Sequence, residues 1–163
     1  MDTDRASRLL LVVALALVVA FVLVQVGILA VPWASDHATV TITDGDGEPR
    51  ATVDAEVADT WEERYTGLSD HDSLEGDEGM LFVHERESEQ TYVMREMDFD
   101  IDIIFVDGDG AVTTIHEARA PEADEDGEDL EYSGQARWVL EVRGGYTDER
   151  GIGVGDEIDI EYE

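Results

Sequence analysis

The sequence predicts a mainly β fold, an antiparallel β-sandwich or small barrel, in a chain that begins with a transmembrane helix. Three observations support this prediction. Residues 9–31 are apolar except for Gln25. The remaining chain holds seven or eight short runs in which apolar and polar residues alternate, which is the period of a half-buried strand. Turn sequences rich in aspartate and glycine separate these runs, as they do in all-β domains.

The apolar segment 9–31 is long enough to cross a membrane. At about 1.5 Å per residue it forms a helix of roughly 35 Å, and the hydrocarbon core of a bilayer is about 30 Å thick. A cleaved signal peptide is the alternative, but its apolar region usually spans only about 7–15 residues and ends in a small-residue cleavage site. Here Pro32 and Trp33 follow, and tryptophan is typical of the membrane interface. We therefore predict an uncleaved signal anchor.

The arginines predict the orientation of this anchor. Arg5 and Arg8 precede it, and the next basic residue is Arg50. The positive-inside rule therefore places residues 1–8 in the cytoplasm as a short tail. Residues 32–37 form a linker and residues 38–163 an extracellular domain of a single-pass protein of the cell membrane. The sequence has no cysteine, so this domain depends on its apolar core rather than on disulfides.

Carboxylates dominate the composition. The chain has 41 acidic and 10 basic residues, no lysine among them, and a net charge of −31. Such a domain repels itself in dilute buffer, whereas molar salt shortens the screening length to about 3 Å. The composition is typical of extreme halophiles, notably archaea. It excludes nucleic acid as a partner, because no basic patch displaces counterions from phosphates. Since carboxylates are the default surface residue, an acidic cluster alone indicates neither a metal nor a catalytic site.

The individual elements follow from local patterns. Thr60 as N-cap, with Glu63 three residues later, is a capping-box signature, and Gly67 is suited to end the helix that follows. A second turn or short helix is expected between Gly144 and Gly155. We predict loops at 85–89 and 120–134. The predicted strands are 38–43, 51–57, 79–83, 90–94, 100–106, 111–115, 136–142 and 156–162.

Several ordered segments resemble a known family. They are VADT at 57–60, ERYTGL at 63–68, GMLFV at 79–83, YVMR at 92–95, IDIIFV at 101–106, VLEV at 139–142 and GVGD at 153–156. In this order the chain resembles the DUF192 family over roughly residues 50–160, as a membrane-anchored member of haloarchaeal type. The resemblance implies a β-sandwich of jelly-roll type, and it brings no established biochemical function.

The positions that match the family supply candidates for a shared site. These candidates are Arg64, Met80, Met94, Arg95 and Asp102. The structural alternative is that Arg64 pairs with Asp102 or Glu96 while the two methionines fill the core. Buried ion pairs and methionines are more often structural than catalytic.

We predict no resident cofactor, but the sequence leaves two kinds of metal site open. Met80, His84, Met94 and Met97 offer thioether and imidazole donors, which select copper. Asp98, Asp100 and Asp102 alternate on one face of an extended chain and offer calcium ligands together with the turn 107–109. The leading metal ligands among them are Met94, His84, Asp98 and Asp100.

Two classes of function fit the sequence. The first is a non-catalytic binding or envelope-associated module whose partner is a small ligand or an envelope protein. Exposed Trp61, Tyr65 or Trp138 would favour a protein partner. The second is a metal-dependent or carboxylate-based hydrolase in the Arg64, Met94 and Asp102 region. It would use Glu96 or Asp102 with His116 or Glu117, although no Gly-x-Ser-x-Gly, His-Glu-x-x-His or phosphate-binding glycine loop occurs. A binding module predicts a concave apolar patch, whereas an enzyme predicts a cleft with converging, perturbed titratable groups.

Overall fold

A seven-stranded sheet is the framework of residues 37–163, the part of the chain that the computed structural model describes. Two short helices, α1 (Trp61–Thr66) and α2 (Tyr146–Arg150), and two 3-10 turns at Gly67–Asp70 and Gly127–Asp129 connect its strands. The strands are β1 (His37–Thr43), β2 (Pro49–Ala58), β3 (Glu78–Val93), β4 (Ile101–Val106), β5 (Val112–Ala118), β6 (Glu131–Arg143) and β7 (Glu157–Tyr162). The prediction of a mainly β domain with one or two short helices is confirmed.

The predicted transmembrane helix at 9–31 lies outside the described residues, as do the tail 1–8 and nearly all of the linker. Within residues 37–163, no helix has the length and apolar character needed to span a bilayer.

The sheet is single and mixed, whereas the sequence predicted an antiparallel sandwich or small barrel. Its strand order is β5-β4-β6-β3-β2-β1-β7, and β2 and β3 are parallel neighbours. Parallel strands need a crossover connection, and the segment that carries α1 supplies it. The two end strands then meet, because Ala111 bridges Glu157 and the Ile158 amide donates to the Gly110 carbonyl at 2.8 Å. The sheet therefore curls toward a closed barrel.

Each face of the curled sheet carries its own core. The inner face is filled from all seven strands and from α2, with Val40, Val53, Leu81, Ile104, Leu140, Ile158 and Tyr146 among its members. The outer face carries Phe82, Ile103, Phe105 and Val139, which lie under Leu68, Met94 and Met97. Every residue of β4 is buried as a result, which explains its nearly continuous apolar sequence.

The predicted loop at 85–89 is wrong, because β3 continues through it from Glu78 to Val93. The register with β6 shifts between Val83 and Ser88, which marks an irregularity of the β-bulge kind. The rings of Phe82 and Tyr92 lie 5.0 Å apart, although ten residues of straight strand would span roughly 33 Å. The strand therefore bends back on itself at the bulge.

The partner strand β6 pairs with β3 on both sides of this bend. It begins at Glu131, so the last part of the predicted loop 120–134 is strand as well. Sequence periodicity missed both segments because most of their side chains are exposed or half-buried, so no run of apolar residues marks a core face. Gly127, just before β6, accepts a hydrogen bond from the Met94 amide at 3.0 Å. A side chain there would collide with the Met94 carbonyl, and this close approach fixes the segment that follows β3.

Candidate functional site

The bend in β3 opens a cleft of about 300 Å³ between α1 and the outer face of the sheet, here called the β3 cleft. Its residues come from α1 and the turn after it, from both halves of β3, and from the segment that leads into β4. They are Trp61, Arg64, Tyr65, Thr66, Gly67, Leu68, Ser69, Phe82, His84, Gln90, Thr91, Tyr92, Val93, Arg95, Met97, Ile101 and Glu141.

Helix α1 forms one side of the β3 cleft, and its start is fixed by the predicted capping box. The Thr60 hydroxyl accepts a hydrogen bond from the Glu63 amide at 3.2 Å, and the Glu63 carboxylate accepts one from the Thr60 amide at 3.0 Å. The helix ends before Gly67, whose φ is +52°. Trp61 and Tyr65 are one helical turn apart, so their rings stack at 5.2 Å, 67% and 55% exposed.

Glu141 forms the floor of the β3 cleft. It is only 6% exposed, and it lies on the same face of β6 as Val139, within the outer core. Among residues 37–163, no residue donates a hydrogen bond to its side chain, so burial alone acts on the carboxyl. Burial raises the pKa of Glu141 to about 8, because the charged form loses its hydration. The group is therefore a neutral carboxylic acid near pH 7, able to donate a hydrogen bond.

His84 and Tyr92 add two more uncharged polar groups. The His84 Nε2 atom lies 3.0 Å from the Tyr92 hydroxyl across the bend of β3. Burial, and then the nearby Arg64 cation, lower the pKa of His84. Burial, and then the Glu141 carboxyl, raise the pKa of Tyr92 far above its usual range. Near pH 7 the polar groups at the bottom of the cleft are thus neutral and can both donate and accept hydrogen bonds.

Two arginines supply the positive charge. Arg64 is half-buried, and its Nη1 donates to the carbonyl oxygens of Asp59 and, at 3.0 Å, Val83. The Arg95 guanidinium lies 4.0 Å from the centre of the Tyr65 ring and 3.5 Å from the Glu128 carboxylate. Its Nη2 also donates to the Tyr65 carbonyl. The lining of the β3 cleft therefore carries two guanidinium groups.

The structure separates the five predicted site residues. Arg64 and Arg95 line the β3 cleft, Met94 is completely buried beside it, and Met80 lines a different groove that also contains Glu56 and His71. Glu96 is exposed, and neither it nor Asp102 lies within ion-pair distance of Arg64 in residues 37–163.

Asp102 lies on the inner face of β4, away from Arg64, so the predicted pair is wrong. Its carboxylate accepts hydrogen bonds from the Gly145 amide at 3.1 Å, the Thr147 amide at 2.8 Å and the Thr147 hydroxyl at 2.6 Å. It therefore holds the start of α2. Glu117 is its cross-strand neighbour, whereas His116 packs on Phe105 on the other face.

The residues proposed for metal binding are also dispersed. His84 and Met97 line the β3 cleft, Met80 lies in the other groove, and Met94 is in the core. Asp98 and Asp100 are exposed, but Asp102 is fully buried, so the three do not share one wet face as predicted. Over the described part of the chain, no three His, Cys, Asp or Glu side chains are grouped to hold a metal ion.

Glu141 is the site residue that sequence reasoning missed. The signal was its phase in the apolar run of β6, because Glu141 follows Val139 by two residues and therefore lies on the same face of the strand. A charged residue at a buried phase of a strand is a stronger indication of a site than any acidic cluster on this surface.

The DUF192 family profile, described as Uncharacterized ACR, matches residues 41–160. The chain belongs to the DUF192 family. Solved structures similar to it include a protein of unknown function from Novosphingobium aromaticivorans DSM 12444, with 30% identity, a TM-score of 0.66, and coverage of 80% of this chain and 91% of that one. A putative transcription regulator from Sinorhizobium meliloti 1021 shares the fold, with 22% identity, a TM-score of 0.68, and coverage of 78% and 95%. No curated protein matches the chain.

The segments by which this DUF192 domain resembles its family meet at the β3 cleft. ERYTGL contributes Arg64, Tyr65 and Gly67, YVMR contributes Tyr92 and Arg95, and VLEV contributes Glu141. The three segments are distant in sequence, and the crossover and the bend in β3 bring them together.

Proposed function

We propose that this DUF192 domain is a non-catalytic binding module that holds a small organic molecule in the β3 cleft. The observation that carries the proposal is Glu141, a buried carboxyl that no described residue hydrogen-bonds, at the floor of a cleft that also has aromatic and aliphatic walls. A protonated carboxyl that opens into the cleft can both donate to and accept hydrogen bonds from a bound molecule. The cleft lies at the lower end of the roughly 300–1,000 Å³ typical of small-molecule sites.

The four methionines allow a direct test on the full-length protein. With ¹³C-methyl methionine, Met97 reports on the β3 cleft, Met80 on the separate groove and Met94 on the core. We expect a screen of small organic compounds to yield ligands that shift the Met97 signal and leave Met80 unchanged. Mass spectrometry should recover each ligand intact. A screen in which no compound shifts Met97 selectively would contradict the proposal.

A carboxylate-based hydrolase is the second candidate, and the raised pKa of Glu141 favours it, since a protonated carboxyl can act as a general acid. The lining of the β3 cleft holds Glu141 as its one carboxyl group, however, whereas glycosidases use a pair. The Ser69 hydroxyl donates to the Arg95 carbonyl instead of facing a base. Binding is therefore the better supported function, and chemical turnover of a ligand in the same experiment would favour the hydrolase.

For the setting of this module we propose the outer surface of a halophile's cell membrane, with residues 9–31 as the anchor. The apolar run and the arginines before it support this, as does the net charge of −31. We expect the protein to resist extraction from membranes by alkaline carbonate, and external protease to cleave residues 38–163 in spheroplasts. A carbonate-soluble protein, or one that is protected until the membrane is lysed, would contradict this setting.

A further inference from the structure

We propose that the molecule held in the β3 cleft is a small organic monocarboxylate whose charged group pairs with Arg64 and whose apolar body packs against the aromatic walls. This inference rests on the proposed function and names the chemical class of its ligand.

The first support is the distribution of charge among the concave surfaces. A protein with 41 acidic residues and 10 basic ones is expected to line its clefts with carboxylates. The groove around Met80 follows this expectation with Glu56, Glu62, Glu63 and Asp70, and the hollow at 122–129 is almost entirely acidic. The β3 cleft reverses the pattern, because its lining holds Arg64, Arg95 and a single acid, Glu141, which burial keeps neutral.

The second support is the state of Arg64. Five arginines of the described chain, Arg50, Arg95, Arg119, Arg143 and Arg150, lie within 4 Å of a carboxylate. Arg64 does not, among residues 37–163, although it is half-buried. Two backbone carbonyls hold its Nη1, so the guanidinium is positioned without being neutralised. A guanidinium in this state is suited to bind a carboxylate, with which it forms charge-assisted hydrogen bonds.

The apolar walls of the β3 cleft and the net charge of the protein narrow the class of ligand further. Phe82, Tyr92, Met97 and Ile101 offer apolar surface, which requires an apolar body on the ligand. A net charge of −31 repels polyanions, while the two arginines repel cations. The neutral Glu141 carboxyl, beside His84 and Tyr92, can donate to an uncharged acceptor oxygen but would repel a second anion once ionised. A single carboxylate on an apolar body satisfies all of these conditions.

Three probes that share one ring test the class. Phenylacetate, phenylacetamide and phenethylamine carry a negative, a neutral and a positive group, and the Met97 methyl signal of the full-length protein reports their binding at pH 6.5 in constant salt. We expect phenylacetate to bind at least tenfold more tightly than phenylacetamide, and phenethylamine to cause no Met97 shift. Arg64→Gln should reduce the preference for phenylacetate to less than threefold, while Arg64→Lys should retain part of it.

The controls separate the ligand class from the binding function. Arg86→Gln removes the same charge from an exposed position of β3 and should leave the preference unchanged. Continued binding of phenylacetamide to Arg64→Gln shows that the cleft remains folded. If phenylacetamide binds as tightly as phenylacetate, the carboxylate class is wrong and the binding function stands. The class is also wrong if phenylacetate fails to shift Met97 while the wider screen finds other ligands. If neither the probes nor the screen shift Met97, both proposals fail.

Discussion

Glu141→Gln is expected to abolish most of the fall in stability that the wild-type protein shows between about pH 5 and pH 9. The folded state raises the pKa of Glu141 from 4.5 to about 8, so in this window the folded protein binds more protons than the unfolded chain. The free energy of unfolding therefore falls as the pH rises, and the loss is complete above the folded pKa. A shift of this size corresponds to on the order of 5 kcal/mol. Urea unfolding of both proteins at pH 5, 7 and 9, in constant salt, measures it.

Neighbouring groups and a matched variant keep this test specific. The lowered pKa of His84 makes stability rise with pH, up to the unfolded value near 6.5, so it acts in the opposite direction. Tyr92 titrates far above the window. The His84 contribution is shared by the wild type and the variant, because burial and Arg64 cause it. Glu89→Gln removes an exposed carboxylate from the same sheet and should leave the pH dependence unchanged. Parallel pH profiles for the wild type and Glu141→Gln would show that Glu141 is not a buried neutral acid.

Asp102→Ala is expected to lower the free energy of unfolding by about 3–5 kcal/mol. The substitution leaves two amides and one hydroxyl, from Gly145 and Thr147, without their buried acceptor. The start of α2 would lose its attachment to β4, and Tyr146 would lose its fixed position in the inner core. Asp102→Asn should lower the free energy of unfolding by less than Asp102→Ala, because its amide oxygen still accepts a hydrogen bond. It should still lower it, because the new NH₂ group faces a donor. Denaturant unfolding at fixed pH and salt gives both values.

Asp98→Asn is the matched control, since Asp98 is an exposed aspartate in the segment before β4. We expect it to change stability by less than about 0.5 kcal/mol. If Asp102→Ala were as stable as this control, the buried carboxylate would not be holding α2. The ligand site should in addition survive Asp102→Asn, because Asp102 and the β3 cleft are on opposite faces of the sheet.

Elements that depend on contacts between neighbouring residues could be predicted from the sequence, whereas elements that depend on contacts between distant residues could not. Helix α1 was predicted because the capping box from Thr60 to Glu63 is made within four residues. The strands with one buried face were predicted because alternation records burial directly. The second half of β3 was predicted only as an isolated strand at 90–94 and its partner in β6 was read as loop up to residue 134, because the pairing from Ser88–Ala136 to Val93–Glu131 depends on residues some 40 positions apart. The parallel pairing of β2 with β3 also has no local signature.

The candidate site was only partly predictable for the same reason. The resemblance to the family pointed to Arg64 and Arg95, which do line one cleft, but it also grouped them with Asp102. Which face of β4 holds Asp102 depends on Thr147, 45 residues further along the chain. Glu141 was hidden by the composition, because one more glutamate is unremarkable in a chain with 41 acidic residues until its burial is known.

The pairing of the first strand with the last has a consequence for how the chain reaches its folded state. β7 pairs with β1, bridges the start of β5, and ends where the Glu163 amide donates to the His37 carbonyl at 3.0 Å. A chain that emerges from the ribosome or a translocation pore N-terminus first must therefore wait for β7 before the barrel closes. Until then β1 exposes an unpaired edge, and unpaired edges invite association between chains. The mutual repulsion of nascent chains this acidic opposes that association during the delay.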